Sequence, residues 1–415
     1  MVPENDRGDN APSDKAWTIH AAIIGVNLGN MLFRGLELNP DNPDNVISLS
    51  QGEPDFETPE HIKAAAIQAM QNGQTRYTAV DGIPELKQAI REKFKQDNGL
   101  SYESSQISVS TGGKQVLYNA FMATLNAGDE VIIPAPYWVS YPDMVVLAEG
   151  RPVFAPCLAE NDFKLTAEEL EAAITPATSW LILNSPSNPT GSVYTPSELK
   201  ALAEVLLRHP QILIMSDDIY EHLIYGEAEF STLAQVEPEL ISRTLTCNGM
   251  SKAYCMTGWR VGFAGGPEPL IRAMAKLQSQ STSNPTSISQ YAAIAGLSGG
   301  RAFLKDMLTA YEERRNTVVS LLNGVAGITC ATPDGAFYVY PSCQGLLGAM
   351  APDGAQLEND TDVCAYLLEA AKVTVVPGEA FGSAGYFRIS YALGIDQLVE
   401  ACDRIQLACE KLERT

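Results

Sequence analysis

Trp180-Leu181-Ile182-Leu183-Asn184, a helical stretch at 197–208, and then Ile212-Leu213-Ile214-Met215-Ser216-Asp217 decide the fold. Both apolar runs are too short for a helix, and neither alternates with polar residues. Each reads as a strand buried on both faces. Strand, helix, strand in that order is the unit of a parallel sheet. The pattern repeats outward. Ile107-Ser108-Val109 leads through Gly112-Gly113 into a helix at 114–125, and Glu130-Val131-Ile132-Ile133 is a further strand. Arg243-Thr244-Leu245-Thr246 and Val261-Gly262-Phe263-Ala264 follow. The expected class is therefore α/β, with a mainly parallel sheet covered by helices on both faces. Such sheets bind ligands beyond the carboxyl ends of their strands. Gly112, Pro134, Asn184, Asp217 and Asn248 stand at those ends.

The flanks differ in character. Residues 1–15 are polar and acidic and read as a disordered tail, without the basic-then-apolar layout of a signal peptide. Residues 39–45 read as a loop, 46–49 as a short strand, and Thr58-Pro59-Glu60 as a capped helix start with proline in its first position. A second amphipathic helix is expected at 83–94. Toward the other end, 301–323 is a long connecting helix. Alternating strands are expected at 335–340 and 386–391, and a last helix from 396 onward. These pieces predict a smaller α+β domain from 16–64 and 304–415, completed by the strand at 46–49. The large domain then spans 65–303.

Composition narrows the function. The 415 residues carry 28 Lys+Arg against 50 Asp+Glu, so the net charge is 28 − 50 = −22. That field repels phosphate backbones and anionic lipid, which argues against nucleic-acid or membrane partners. Residues 1–45 hold three basic residues against seven acidic ones, which excludes a DNA-binding module ahead of the core. The eight cysteines form no C-x-x-C pair, as expected of reduced thiols in a cytoplasmic protein. No apolar run approaches the ~18 residues of a membrane span.

The segment richest in chemistry is Asn248-Gly249-Met250-Ser251-Lys252-Ala253-Tyr254, which runs on to Gly258-Trp259-Arg260. A lysine just past a strand end, among small residues, can form a Schiff base with an aldehyde once its amine is neutral. Arg260, eight positions on, can reach an anion; the plain alternative is a surface lysine and a solvated arginine. Asp217, with Tyr220 three positions on, can keep a ring nitrogen protonated, or can simply cap a helix. Asn184-Ser185-Pro186-Ser187-Asn188-Pro189-Thr190-Gly191 is a stiff turn that aims the Asn188 amide. Ser110-Thr111-Gly112-Gly113-Lys114 joins a strand to a helix, and its amides can cradle a phosphate. Trp138, in Pro136-Tyr137-Trp138, can stack on a flat ring or pack in the core.

Together these segments resemble the class I aminotransferases of the fold-type I, pyridoxal-phosphate-dependent group, in the bacterial aspartate aminotransferase branch. The likeness runs from about Val46 to the C-terminus. It rests on S-x-G-E-P-D-F from Ser50, Y-T-x-x-x-G from Tyr77, G-G-K-Q, P-Y-W-V-S-Y, N-S-P-S-N-P-T-G, S-D-D-I-Y-E-H-L, S-K-A-Y-x-M-T-G-W-R, G-A-F-Y and F-R-I-S-Y-A. The resemblance implies a seven-stranded sheet and pyridoxal 5'-phosphate as cofactor. It makes Lys252 the lysine that carries the cofactor and moves a proton, and Asp217 the partner of the pyridine nitrogen. Tyr220 and Asn188 become the partners of the ring hydroxyl, and Trp138 the stacking aromatic. Ser251, Arg260, Gly113 and Lys114 become the phosphate cup. Arg388 and Gly52 are expected on the substrate α-carboxylate, with Trp138, Asn188 and Lys114 also facing substrate. Tyr77 is expected to reach the site of a neighbouring subunit, which implies a homodimer. No metal is implied.

The implied reaction is ping-pong transfer of an amino group from aspartate or glutamate to a 2-oxo acid. The sequence departs from the branch at 23–34, where Ile23-Ile24-Gly25-Val26-Asn27-Leu28-Gly29-Asn30-Met31-Leu32-Phe33-Arg34 replaces a K-P-S-A-T-like segment. The lysine that some relatives use for prephenate is not recognisable there, which counts against that substrate. The apolar Met31, Leu32 and Phe33 leave an aromatic amino acid as an alternative donor. A C–S lyase on the same fold is a further alternative, because it shares the cofactor chemistry.

Overall fold

A computed structural model describes residues 45–414. The expected tail at 1–15 and the divergent segment at 23–34 lie outside the described residues. So do all but the last residue of the expected loop at 39–45. The strands in chain order are β1 (Ile47–Ser48), β2 (Ile107–Ser110), β3 (Glu130–Ala135), β4 (Arg151–Pro156), β5 (Thr178–Asn184), β6 (Leu213–Asp217), β7 (Thr244–Gly249), β8 (Gly262–Gly265), β9 (Tyr338–Val339), β10 (Val373–Thr374), β11 (Val376–Pro377) and β12 (Phe387–Ser390).

Seven of them form one sheet in the order β2-β8-β7-β6-β5-β3-β4. Only β8 runs against the rest, pairing antiparallel with both β2 and β7. The short apolar runs become strands because both faces are covered: Trp180, Leu181, Ile182, Ile214 and Met215 are all 0–1% exposed. Register then aligns the chemistry. Asn184 pairs with Asp217 across β5 and β6, and Asp217 with Cys247 across β6 and β7. The polar ends of three strands thus lie side by side at one edge of the sheet.

The β4 strand is absent from the sequence reading. It carries two prolines and is half open to solvent at the sheet edge, so it lacks the apolar run that marks a buried strand. The expected strand at 335–340 shrinks to β9. The amides of Gly335 and Ala336 donate instead to the carbonyls of Gly191 (2.8 Å) and Leu223 (2.9 Å), which draws this stretch toward the large sheet. The helix start at 58–60 also differs. The helix is Glu60–Gln71, Pro59 is its cap, and no side chain caps it. The Thr58 hydroxyl donates to the Cys255 carbonyl at 2.6 Å and accepts the Trp259 indole N–H at 3.1 Å.

At the C-terminal end, the 22-residue helix Ala302–Asn323 precedes two small sheets. In one, β1 pairs parallel with β10, Ile47 opposite Val373, so the N-terminal strand closes onto the C-terminal part. In the other, β12 lies between β11 and β9. The boundary expected at 64/65 falls inside the helix Glu60–Gln71, and a single buried cluster includes Ile62, Phe263, Tyr311 and Phe387. No described helix is long and apolar enough to cross a membrane. The described cysteines are all free thiols, seven of them buried and Cys255 partly exposed.

Candidate active site

Asp217 ends β6 and is buried, and the Tyr141 hydroxyl donates to its Oδ2 at 2.6 Å. Burial pushes the carboxyl up to about 6, although Tyr141, the Ile219 amide and the Lys252 amine pull it down. The Asn184 side chain locks the turn beyond. Its Nδ2 donates to the Asp217 carbonyl at 2.9 Å, and its Oδ1 accepts the Asn188 amide at 2.9 Å. Tyr220 is 3% exposed and shares a 2.8 Å hydrogen bond with the Tyr338 hydroxyl.

Lys252 follows β7 after the buried Ser251. Its amine donates to the Gly52 carbonyl and lies 5.6 Å from the centres of the Tyr220 and Phe337 rings. Burial lowers its pKa to about 8, helped by the positive Arg388 and Arg260. About half of such an amine is neutral at pH 8.

Arg388 comes from β12, in a different sheet. One guanidinium nitrogen donates to Asn188 Oδ1 at 2.8 Å and another to the Ser50 carbonyl at 2.5 Å. Its Nε is buried with no hydrogen-bond partner among the described residues. The guanidinium also lies 4.6 Å from the centre of the Tyr338 ring, and a Cβ at Gly52 would stand 2.4 Å from the Tyr338 hydroxyl. Only glycine lets the 50–53 segment approach so closely.

The glycine turn packs against Arg260. Gly112 has φ +86° and caps the helix Gly113–Thr124, and a Cβ there would meet an Arg260 terminal nitrogen at 2.0 Å. Arg260 is itself left-handed (φ +57°) and donates to the Thr257 carbonyl at 2.8 Å. The Gln115 amide donates to the Gly112 carbonyl at 3.1 Å, and the helix N-terminus, with Arg260 beside it, suits an anion. Lys114 follows, with its amine 4.8 Å from the centre of the half-buried Trp138 ring. The Trp138 ring meets Tyr141 edge-on (5.4 Å, 89°).

Hydrogen bonds thus join Lys252 to Gly52, and Arg388 to Asn188; Asn188 connects through Asn184 to Asp217. A ring contact joins Lys114 to Trp138. Tyr77 does not join this set: it is 92% exposed, with no hydrogen bond or ring contact to the others. Two tyrosines in the site, Tyr141 and Tyr338, were given no role from the sequence. The signal for both was present, since they end the quoted P-Y-W-V-S-Y and G-A-F-Y segments.

The model of the aminotransferase class I and II family matches residues 44–405. The chain belongs to that family. An aspartate/prephenate aminotransferase of Cereibacter sphaeroides is 61% identical over 368 residues, covering 89% of this chain and 92% of the relative. The crystal structure of the Rhizobium meliloti aspartate aminotransferase superposes with a TM-score of 0.89 at 51% identity over the whole of both chains. The Thermus thermophilus aspartate aminotransferase with maleate gives 0.83 at 41% identity, over 93% of this chain and 96% of the other. The protein is a transaminase with the fold of the pyridoxal-phosphate-dependent enzymes, and it depends on that cofactor.

The side chains fit the cofactor. A ring nitrogen needs a buried acid, and Asp217 is a desolvated carboxyl without a cation in direct contact among the described residues. An aldehyde needs an amine that loses its proton near neutrality, and Lys252 is lowered to about 8. A phosphate suits a helix N-terminus with a cation beside it, and Gly112 leaves the space in which Arg260 and the helix start meet.

Proposed function

We propose that this aminotransferase takes the amino group of a dicarboxylic amino acid, aspartate or glutamate, and passes it to a 2-oxo acid in two half-reactions. The observation that carries the reading is the depressed Lys252 amine between a buried acid and a buried arginine with one nitrogen unpartnered.

Pyridoxal phosphate, when bound, supplies an aldehyde for amine exchange and a sink for the electron pair left at the donor's Cα. The residues of the chain do the rest. Asp217 keeps the proton on the ring nitrogen, and Tyr220 and Asn188 donate toward the ring hydroxyl. Trp138 covers one face of the ring. The amides of Gly113 and Lys114, with Ser251 and Arg260, hold the phosphate. Arg388 grips the substrate α-carboxylate with a planar fork, with Gly52 beside it. Lys252 holds the cofactor between turnovers. Its neutral Nζ would take the proton from the donor's Cα.

The dicarboxylate preference is supported by Lys114, whose amine lies over the Trp138 ring and would provide a second cation for a second carboxylate. The names of the relatives, with maleate in the Thermus structure, point the same way. Prephenate as amino acceptor is the second reading, favoured by the name of the Cereibacter relative despite the divergent segment at 23–34. We further propose a homodimer in which the exposed Tyr77 reaches the partner's phosphate, and a cytoplasmic location that suits eight unpaired cysteines.

The test is a half-reaction scan, following the absorbance of the bound cofactor against a panel of amino acids. Aspartate and glutamate should convert it fastest. Preference for phenylalanine or tyrosine, or release of pyruvate and ammonia from cysteine-like substrates without an acceptor, would overturn the reading.

A further inference from the structure

We infer that Tyr141 is a positioning residue, whose hydroxyl fixes the orientation and charge of the Asp217 carboxylate that meets the cofactor's ring nitrogen. The inference rests on the assignment of Asp217 made above. Among the described residues, Asp217 has two donors: the Ile219 amide, which any substitution there except proline would retain, and the Tyr141 hydroxyl at 2.6 Å. Among the described residues, Tyr141 is the only side chain that donates a hydrogen bond to this carboxylate. Tyr141 is 2% exposed, and burial beside the Asp217 charge pushes its phenol well above the ordinary value. The proton therefore stays on the phenol, and the bond runs in one direction.

The position of Tyr141 is itself set by the site. It is the second residue of the helix Ser140–Leu147, and its amide donates to the Trp138 carbonyl at 3.0 Å. The Trp138 ring meets it edge-on. One turn of chain, the four residues 138–141, thus carries both the aromatic ring proposed to cover the cofactor and the hydroxyl that holds its acid. A plain core tyrosine would need an acceptor too, but would not need the one carboxylate on which the chemistry depends.

The test compares wild type, Tyr141→Phe, Asp217→Asn and the double variant as holoenzymes. A charge-assisted bond of this kind corresponds to about a tenfold to hundredfold effect. Tyr141→Phe should release cofactor about tenfold more readily on dialysis, shift its visible absorbance, and lower kcat about tenfold or more. KM for the donor should stay within about twofold, because Tyr141 does not reach substrate. In the Asp217→Asn background the same change should add less than about twofold to cofactor loss. That arm decides the matter even if Tyr141→Phe alone does not fold, since no carboxylate is left short of a donor. Unchanged cofactor retention and kcat in a folded Tyr141→Phe would overturn the inference, as would a full additive loss in the double variant. Wild-type protein that takes up no cofactor would instead overturn the site assignment itself.

Discussion

Asp217 and Glu221 leave the same strand end four residues apart, and both are buried, yet their surroundings differ in kind. Glu221 is fully paired. The Lys93 amine bonds its Oε1, Asn248 donates to the same oxygen at 2.8 Å, and Asn98 donates to Oε2 at 2.8 Å. Lys93 also donates to Asn98 at 2.7 Å, and Arg301 clamps the adjacent Asp97 at 2.6 and 2.8 Å. Burial raises the Glu221 carboxyl, but Lys93, His222 and Asn98 outweigh it and hold it at about 2. Among the described residues Asp217 receives two hydrogen bonds and no direct cation, so burial wins and its carboxyl rises to about 6. The comparison separates structural polar groups from working ones. Pairing within the chain satisfies Glu221, whereas Asp217 has a charge left for a ligand to meet.

Breaking the paired region should give the largest effect on stability. Lys93→Met leaves Glu221 buried and unpaired, which costs roughly 3–5 kcal/mol. Urea unfolding should show that loss. A cost under about 1 kcal/mol would mean that Asn98, Asn248 and His222 suffice without the amine.

The unpaired region should respond in the opposite sense. A carboxyl raised from 3.8 to about 6 binds its proton more tightly folded than unfolded, so its contribution to stability falls as pH rises from about 4 to 6. Asp217→Asn should therefore stabilise the cofactor-free protein at pH 7 by about 2–3 kcal/mol, with little effect near pH 4. It should also lose most turnover. Thermal unfolding at the two pH values checks the sign, and a destabilised Asp217→Asn at pH 7 would show that Asp217 is paired after all.

The smallest effect concerns specificity. Lys114→Ala removes the amine over Trp138 and should lower kcat/KM for aspartate about tenfold, the low end for a charge-assisted contact, while leaving phenylalanine nearly unchanged. Equal losses with both donors would assign Lys114 to the helix start alone.

The sequence reading succeeded where local chemistry decides structure. Runs such as Trp180-Leu181-Ile182-Leu183 are apolar because both faces of the sheet are covered, so the pattern along the chain reports the burial directly. The same logic picked out Asp217 and Lys252 at strand ends, while Asn188 came from its stiff turn and Arg388 from the family resemblance, and hydrogen bonds link Arg388 through Asn188 and Asn184 to Asp217. It failed where a neighbour distant in sequence decides. The Arg151–Pro156 strand exists because β3 pairs with it, and nothing in its own pattern announces that. Thr58 resembles a helix cap, but its hydroxyl serves a carbonyl 197 residues away. Tyr141 and Tyr338 gain their roles from partners 76 and 118 positions off, and Lys93 pairs with a glutamate that only folding brings near.

The central claim is that Lys252 is the residue that meets the cofactor, and its amine can be trapped. Borohydride reduction of the holoenzyme, followed by peptide mapping, should place the pyridoxyl mass on Lys252, and Lys252→Ala should bind cofactor without a reducible link. The mass on another lysine, or turnover in Lys252→Ala equal to wild type, would contradict the account.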